Sequence, residues 1–349
     1  MILMSKRILA AACAAATALA LSACSPSAST GGKTSKDGTL TVMASFYPLK
    51  YLAEKVGGEH VTVTSLTPDG AEPHDLELSP KMVDSLASAD AVVYLAGFQG
   101  AVDEAVEQHA PKTVIDVSPA AQLVAIDSTF NHPGEDEDTD EAQSGEAQSG
   151  EAADHDHEGH EHEGHDHEHA DHDHHHDMSM DPHFWLDPAR MANAATLVGD
   201  KLAEADPTNA ETYKANAQAL NEELTSLGDN LVAKTSTCQI KTFVTAHTAF
   251  GYLADRTGLT QVGISGLDPE SSPSPARLAE IGKIVKDQGV TTIFTEALID
   301  PKVEQTLATD LGISTAVLDP IESQTDSSKD YAAVMNDNID ALTKANNCQ

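Results

Sequence analysis

The 349-residue chain is predicted to fold as two α/β lobes, each a roughly four-stranded, mostly parallel sheet flanked by helices, joined by one long rigid helix. Three observations carry that prediction. Short apolar runs alternate with helical patterns through residues 40–117, the same alternation returns through 242–344, and one unbroken helical stripe lies between them. No hairpin turn signal interrupts either half, so the strands are expected to run parallel under helices on both faces.

In chain order, residues 40–45 read as a strand, 49–56 as a helix ending at Gly57-Gly58, and 61–66 as a strand. Residues 80–87 (helix), 91–96 (buried strand), 102–108 (helix) and 113–117 (strand) complete the first half. Residues 189–205 carry Met191, Ala195, Val198 and Leu202 at helical spacing, and Asp206-Pro207 ends that helix. Thr208-x-x-Glu211 has the form of a capping box opening the next. There Tyr213, Ala217, Leu220, Leu224, Leu227 and Leu231 form one stripe, so a helix of about 25 residues, ~37 Å long, can join two lobes. In the second half, residues 242–246, 261–264, 291–295 and 315–318 read as strands. Residues 250–257, 275–288, 302–311 and 331–344 read as helices.

A tract of different character splits the first half from the stripe. Residues 131–177 hold 12 of the 17 histidines and 18 of the 56 acidic residues, with no Lys or Arg. The tract is almost devoid of apolar residues and cannot offset its ordering entropy, so disorder is expected. Acidity alone would be satisfied by a solvated linker. Twelve interleaved imidazoles point instead to divalent-ion binding, with His155, His157, His160, His162, His165, His167, His169, His172, His174, His175 and His176 as interchangeable ligands.

At the start, Lys6 and Arg7 precede an apolar run over residues 8–21, too short to span a bilayer. It ends in Leu21-Ser22-Ala23-Cys24, which looks like a bacterial lipobox with Cys24 as the lipidated residue, followed by a polar tether. Cys238 and Cys348 remain for the folded body, and outside the cytoplasm an even pair is most simply a disulfide. The formal charge of −36 falls to −18 when the tract's 18 acids are set aside (−36 + 18), still too acidic for a nucleic-acid partner but suited to attracting cations. The expected organisation is signal peptide 1–23, tether 24–38, N-terminal lobe 39–130, loop 131–180, ligand segment and helix 181–207, linking helix 208–236 and C-terminal lobe 237–349.

Ligands of open parallel sheets bind beyond the carboxyl ends of the strands. That rule selects His74 in the loop after the second strand, His247 after residues 242–246, Glu296 after 291–295 and Asp319 after 315–318. His183 sits where the histidine-rich tract rejoins the fold. Three imidazoles and a carboxylate would make a four-coordinate N/O site. Each has a plainer reading too: His74 and His183 as turn residues, Asp319 before Pro320 as a turn initiator, Glu296 as a helix-start carboxylate. His60 and His109 read as surface residues. No catalytic fingerprint is present outside the tract, where His165–His169 matches H-x-x-E-H by sheer histidine density.

Four segments resemble the metal-binding solute receptors of bacterial ABC importers, in particular their zinc-specific, ZnuA-like members. They are Glu72-Pro73-His74-Asp75-Leu76-Glu77-Leu78-Ser79-Pro80, Asp181-Pro182-His183-Phe184-Trp185-Leu186-Asp187-Pro188, His247-Thr248-Ala249-Phe250-Gly251-Tyr252 and Leu318-Asp319-Pro320, in the family's order. The resemblance implies two lobes on a rigid helix and a Zn²⁺ site of His74, His183, His247 and Asp319, with Glu72 and Glu296 as substitutes for the last. It also implies a disulfide placed like Cys238–Cys348. The segment after Tyr94 departs from the family, with Leu95-Ala96-Gly97-Phe98 in place of the usual Asn-Gly and no Trp nearby. The expectation is a non-enzymatic, monomeric, extracytoplasmic lipoprotein, anchored by lipid to the cell membrane. It would capture Zn²⁺ and pass it to a permease driven by an ATPase subunit. A manganese or iron receptor of the same fold and a non-transporting metal buffer are the alternatives, and a zinc hydrolase lacks any motif for a general base.

Overall fold

The structure is a computed structural model that describes residues 38–126 and 180–349. The export signal, Cys24 and the tract histidines from His155 to His176 lie outside the described residues. Among the described residues no helix is long and apolar enough to cross a membrane.

Strands β1 (Leu40–Ala44), β2 (Val61–Ser65), β3 (Ala91–Tyr94) and β4 (Thr113–Asp116) form an all-parallel sheet in the order β2-β1-β3-β4. A two-stranded antiparallel stem, β5 (Val124–Ala125) with β6 (Met180–Asp181), brackets the histidine-rich tract. Strands β7 (Thr242–Thr245), β8 (Thr260–Gly263), β9 (Thr292–Thr295) and β10 (Ser314–Val317) form a second parallel sheet, β10-β9-β7-β8. The two orders are the same topology repeated, each reversing direction between its first and third strands.

Helices α1 (Tyr47–Gly57), α2 (Pro80–Ser88), α3 (Gly100–His109) and the short α4 (Ser118–Ala121) belong to the first half. Then come α5 (Pro188–Ala205), α6 (Ala210–Thr235), α7 (Gly251–Thr257), α8 (Pro275–Gln288), α9 (Lys302–Leu311) and α10 (Tyr331–Ala345). The starts of α2, α5 and α8 follow one local rule. A proline opens the helix, and the preceding Ser79, Asp187 or Ser274 accepts a backbone N–H of the first turn. Three helices of the second lobe stop at Gly258, Gly289 and Gly312, with φ of 66°, 66° and 72°, a left-handed cap that costs glycine nothing. The capping box expected at Thr208 is absent. The turn before α6 is held by Asp206, its carboxylate accepting from the Thr208 N–H (3.2 Å), the Asn209 side-chain amide (2.7 Å) and the Tyr213 hydroxyl (3.0 Å).

Because successive side chains point to opposite faces of a strand, each sheet feeds two cores. Met43 and Val92 pack outward with Leu86 and Val102, whereas Val42, Ala44 and Val93 face inward. The second sheet divides the same way, with Val244 and Ile293 outward and Phe243 and Phe294 inward. The two inward faces share one core, threaded by the whole α6 stripe from Tyr213 to Leu231. At 26 residues α6 is about 39 Å long. It packs so closely on α5 that a Cβ at Gly199 would overlap the Cβ of Ala217. Side-chain bonds then tie the lobes near the cleft: Trp185 Nε1 donates to Pro320 O (2.7 Å), the Tyr331 hydroxyl to Trp185 O (2.6 Å), and Gly70 N to Ser323 Oγ (2.7 Å).

A disulfide, Cys238–Cys348, joins the end of α6 to the chain's last residues, flanked by Ile240 N–H to Asn346 O (3.1 Å). It closes a loop with a sequence separation of 110 residues. Replacing both cysteines by serine is expected to lower the unfolding free energy by about 3–5 kcal/mol, read as a lower urea midpoint with a steeper slope, because the unfolded chain is freed to expose more surface.

Candidate metal centre

Both lobes aim their strand carboxyl ends at the cleft, and in the second lobe β7 and β9, which flank the topological reversal, supply the loops of His247 and Glu296. The His247 ring hangs from the residue but one after β7. Its main-chain carbonyl accepts from Thr245 Oγ1 (2.7 Å) and Gln261 Nε2 (3.0 Å), so the backbone there is tied on two sides. Glu296, directly after β9, accepts from both the His247 N–H (3.1 Å) and Nδ1 (2.7 Å). His183 follows the stem strand β6, and Asp181 Oδ1 receives its N–H (2.9 Å) and Nδ1 (2.8 Å) in the same bidentate manner. His74 lies in the loop between β2 and α2, where the Glu72 carboxylate accepts its N–H at 2.9 Å and that of Asp75 at 3.3 Å. Gln99 Nε2 donates to Pro73 O (3.0 Å) and fixes that loop from α3's side. Phe98 stacks edge-on against His74 at 4.8 Å, so the aromatic of the divergent segment after Tyr94 shields the ring.

The three histidines and Glu322 each offer one ligand atom, all within 4.8 Å of one another. Glu322 Oε1 stands 3.4 Å from the Nε2 of each of His74, His183 and His247, and the Nε2 atoms of His74 and His183 are 3.3 Å apart. Donors on a tetrahedron with bonds of about 2.0–2.1 Å are separated by about 3.3 Å along each edge. The cluster is thus spaced for one small divalent cation. His183, His247 and Glu322 have side-chain exposures of 0, 0 and 2 %. His247 Nε2 is buried and makes no hydrogen bond, a donor atom left for a ligand.

The charges are strongly coupled. Burial opposes charge on His247, but the Glu296 carboxylate and then Glu322 overcome it and push the ring up to about 10. His183 is likewise raised, burial being outweighed by hydrogen bonds to Asp181 and Glu322. Burial would raise Glu322, yet the close approach of the His183, His247 and His74 rings holds it well below the ordinary carboxylate range.

The fourth position corrects the sequence expectation. Asp319 is not in the cluster: Oδ1 accepts the Ile321 N–H (2.8 Å), and its main-chain N–H and carbonyl are clamped by the Asn338 side chain at 2.8 and 2.7 Å. Asp319-Pro320 is the turn initiator that its plainer reading described. The turn carries Ile321 into a left-handed conformation, φ 57°, which a β-branched residue adopts only under constraint, and so sends Glu322 back into the cleft. The substitutes are not in the cluster either. Glu72 caps the His74 turn and keeps 3.9 Å from Nε2, and Glu296 starts no helix but is the hydrogen-bond partner of His247. Glu322 escaped the strand-end rule because it lies five residues beyond β10. The only signal available was a second carboxylate just past an Asp-Pro turn. His60 and His109 stand apart from the cluster, as expected.

Fold and cluster together define a two-lobed α/β binding protein with a cation-competent site between its lobes. The family model for the periplasmic component A of the zinc-uptake complex matches residues 42–345, and the chain belongs to that family. It is 33 % identical over 311 residues to zinc-binding protein AdcA of Streptococcus pyogenes serotype M3, covering 88 % of this chain and 56 % of that protein. The chain therefore spans about half the length of those first relatives. It is 30 % identical over 333 residues to the high-affinity zinc uptake system protein ZnuA of Bacillus subtilis, with 94 % of each covered. Among solved structures, the Zn(II)-bound ZnuA-like domain of Streptococcus pneumoniae AdcA superposes with a TM-score of 0.65 at 29 % identity, over 88 % of this chain and 99 % of that one. The laminin-binding adhesin Lmb of Streptococcus agalactiae gives 0.70 at 27 %, again over 88 % and 99 %.

The two carboxylates at this end of the fold are separable by mutation. Glu322→Gln is expected to weaken divalent-cation binding by about a hundredfold or more, and Asp319→Asn by less than about tenfold, in a competitive-chelator titration.

Proposed function

We propose that this chain is an extracytoplasmic receptor that captures Zn²⁺ between its lobes and delivers it to an ABC permease. His74, His183, His247 and Glu322 are the ligands in this reading. The observation that carries it is the edge length: four of the six donor–donor separations are 3.3–3.4 Å and all lie within 4.8 Å, and three imidazoles with one carboxylate match tetrahedral zinc better than the larger, oxygen-rich shells that suit manganese. Four protein donors fill a tetrahedron and leave no open position for an activated water, which favours a binding protein over a hydrolase. The bidentate carboxylate props on His183 and His247 favour metal affinity by fixing each ring with Nε2 toward the cleft. Lipid anchoring at Cys24, a monomeric state and low-affinity zinc collection by the histidine-rich tract complete the proposal, on the strength of the sequence.

The test is a zinc and manganese titration against a competing chelator, with the mature chain and a variant lacking residues 131–177. One tight zinc equivalent is expected in both, lost with His247→Ala and not matched by manganese. Tight binding that vanished with the tract would overturn the cleft assignment.

Protons compete with zinc for the same imidazole lone pairs. Because His183 and His247 are raised, the competition extends above neutrality rather than beginning near pH 6 as an unperturbed histidine would dictate. Apparent affinity should therefore climb between about pH 6 and pH 9, by close to tenfold per unit for each proton displaced. Calorimetry at pH 7 in buffers of different ionisation enthalpy should register at least one proton released per zinc bound.

A further inference from the structure

The ligand cluster is buried, so a cation needs a way in, and one of the four residues borders a cavity open to the surface. His74, whose side chain is 5 % exposed, lines a cavity of about 590 Å³ between its own loop and the start of α3. The other titratable residues lining it are Asp75, Glu77, Asp103, Glu104 and Glu107, and no lysine or arginine is among them. Asp103 is engaged, its Oδ2 accepting the Gly97 N–H at 3.0 Å, whereas Asp75, Glu77, Glu104 and Glu107 are exposed. His74 also differs from the other two histidines in its support. Nδ1 of His183 and of His247 each meets a carboxylate, but Nδ1 of His74 is buried without a hydrogen-bond partner.

From this geometry we propose that the acidic cavity beside His74 is the entry vestibule through which a divalent cation reaches the cleft, with Glu77, Glu104 and Glu107 setting the rate of capture. The inference rests on the cleft being the zinc site. The carboxylates hold no ion themselves: among the described residues, only the His74–His183–His247–Glu322 group brings three or more ligand atoms together. Their role is the field they create. A concave, single-sign mouth concentrates counter-ions and raises on-rates, and the effect decays with salt over a Debye length of about 10 Å at 0.1 M. The ion then meets His74 first, the ligand that no carboxylate holds through Nδ1.

Trp185, the chain's one tryptophan, lies 5.2 Å from the His183 ring, so its fluorescence reports on the cleft. Stopped-flow mixing of the full chain with excess Zn²⁺ would follow that signal. Glu77→Gln/Glu104→Gln/Glu107→Gln together should slow the bimolecular phase about three- to tenfold at low ionic strength and flatten its salt dependence. Glu204→Gln/Glu211→Gln/Glu222→Gln, the same charge change on the exposed faces of α5 and α6, should leave the rate within about twofold. An unchanged rate in the first variant, or equal slowing in both, would overturn the vestibule. Failure of the cleft reading would look different: the tryptophan signal would survive His247→Ala or never occur in the unaltered chain.

Discussion

A carboxylate and three imidazoles held within 4.8 Å of one another, in a region almost sealed from water, are the constraint around which the rest of the structure is arranged. Left to themselves, such groups would disperse or hydrate, because burying uncompensated polar groups is costly. Here three of the four are held from behind. Asp181 and Glu296 bind both the backbone and the ring of their histidines, and the Asp319 turn clamped by Asn338 sets the direction of Glu322.

The lobes must not drift if these four donors, two from each lobe's side of the cleft, are to keep a tetrahedral spacing. One continuous core through α6 meets that need, with the close α5–α6 contact at Gly199 and the hydrogen bonds from Trp185 and Tyr331. Hydrophobic burial supplies the adhesion, and the aromatic hydrogen bonds supply the register. An arrangement locked this way favours small loop movements over wide lobe closure. His74 is the natural place for them, since it sits in the 14-residue connection between β2 and α2 and lacks a carboxylate behind its ring.

Strand–helix alternation, the α6 stripe and the three cluster histidines were all legible in the sequence. Period-two and period-3.6 patterns are local, and the strand-end rule converts them directly into candidate sites. The apparent capping box at Thr208 misled for a local reason too: Asp206, two residues earlier, takes the Thr208 N–H that the Glu211 side chain would have accepted, and the helix opens later, at Ala210. The stem of β5 and β6 was invisible, because two-residue strands carry no periodicity and their pairing crosses the whole tract.

By itself the sequence determined the fold class, the three histidines that the cluster brings together, the acidity that favours cations and the pairing of Cys238 with Cys348, since each depends on local pattern or on counting. Only the tertiary structure decided the fourth member of the cluster. Asp319 and Glu322 are three residues apart and chemically alike, and what separates them is a left-handed turn at Ile321 held by Asn338 from a distant helix. The same holds for the carboxylates behind His183 and His247 and for the acidic mouth beside His74. Distances and directions between loops are set by how two sheets pack, and no local pattern records them.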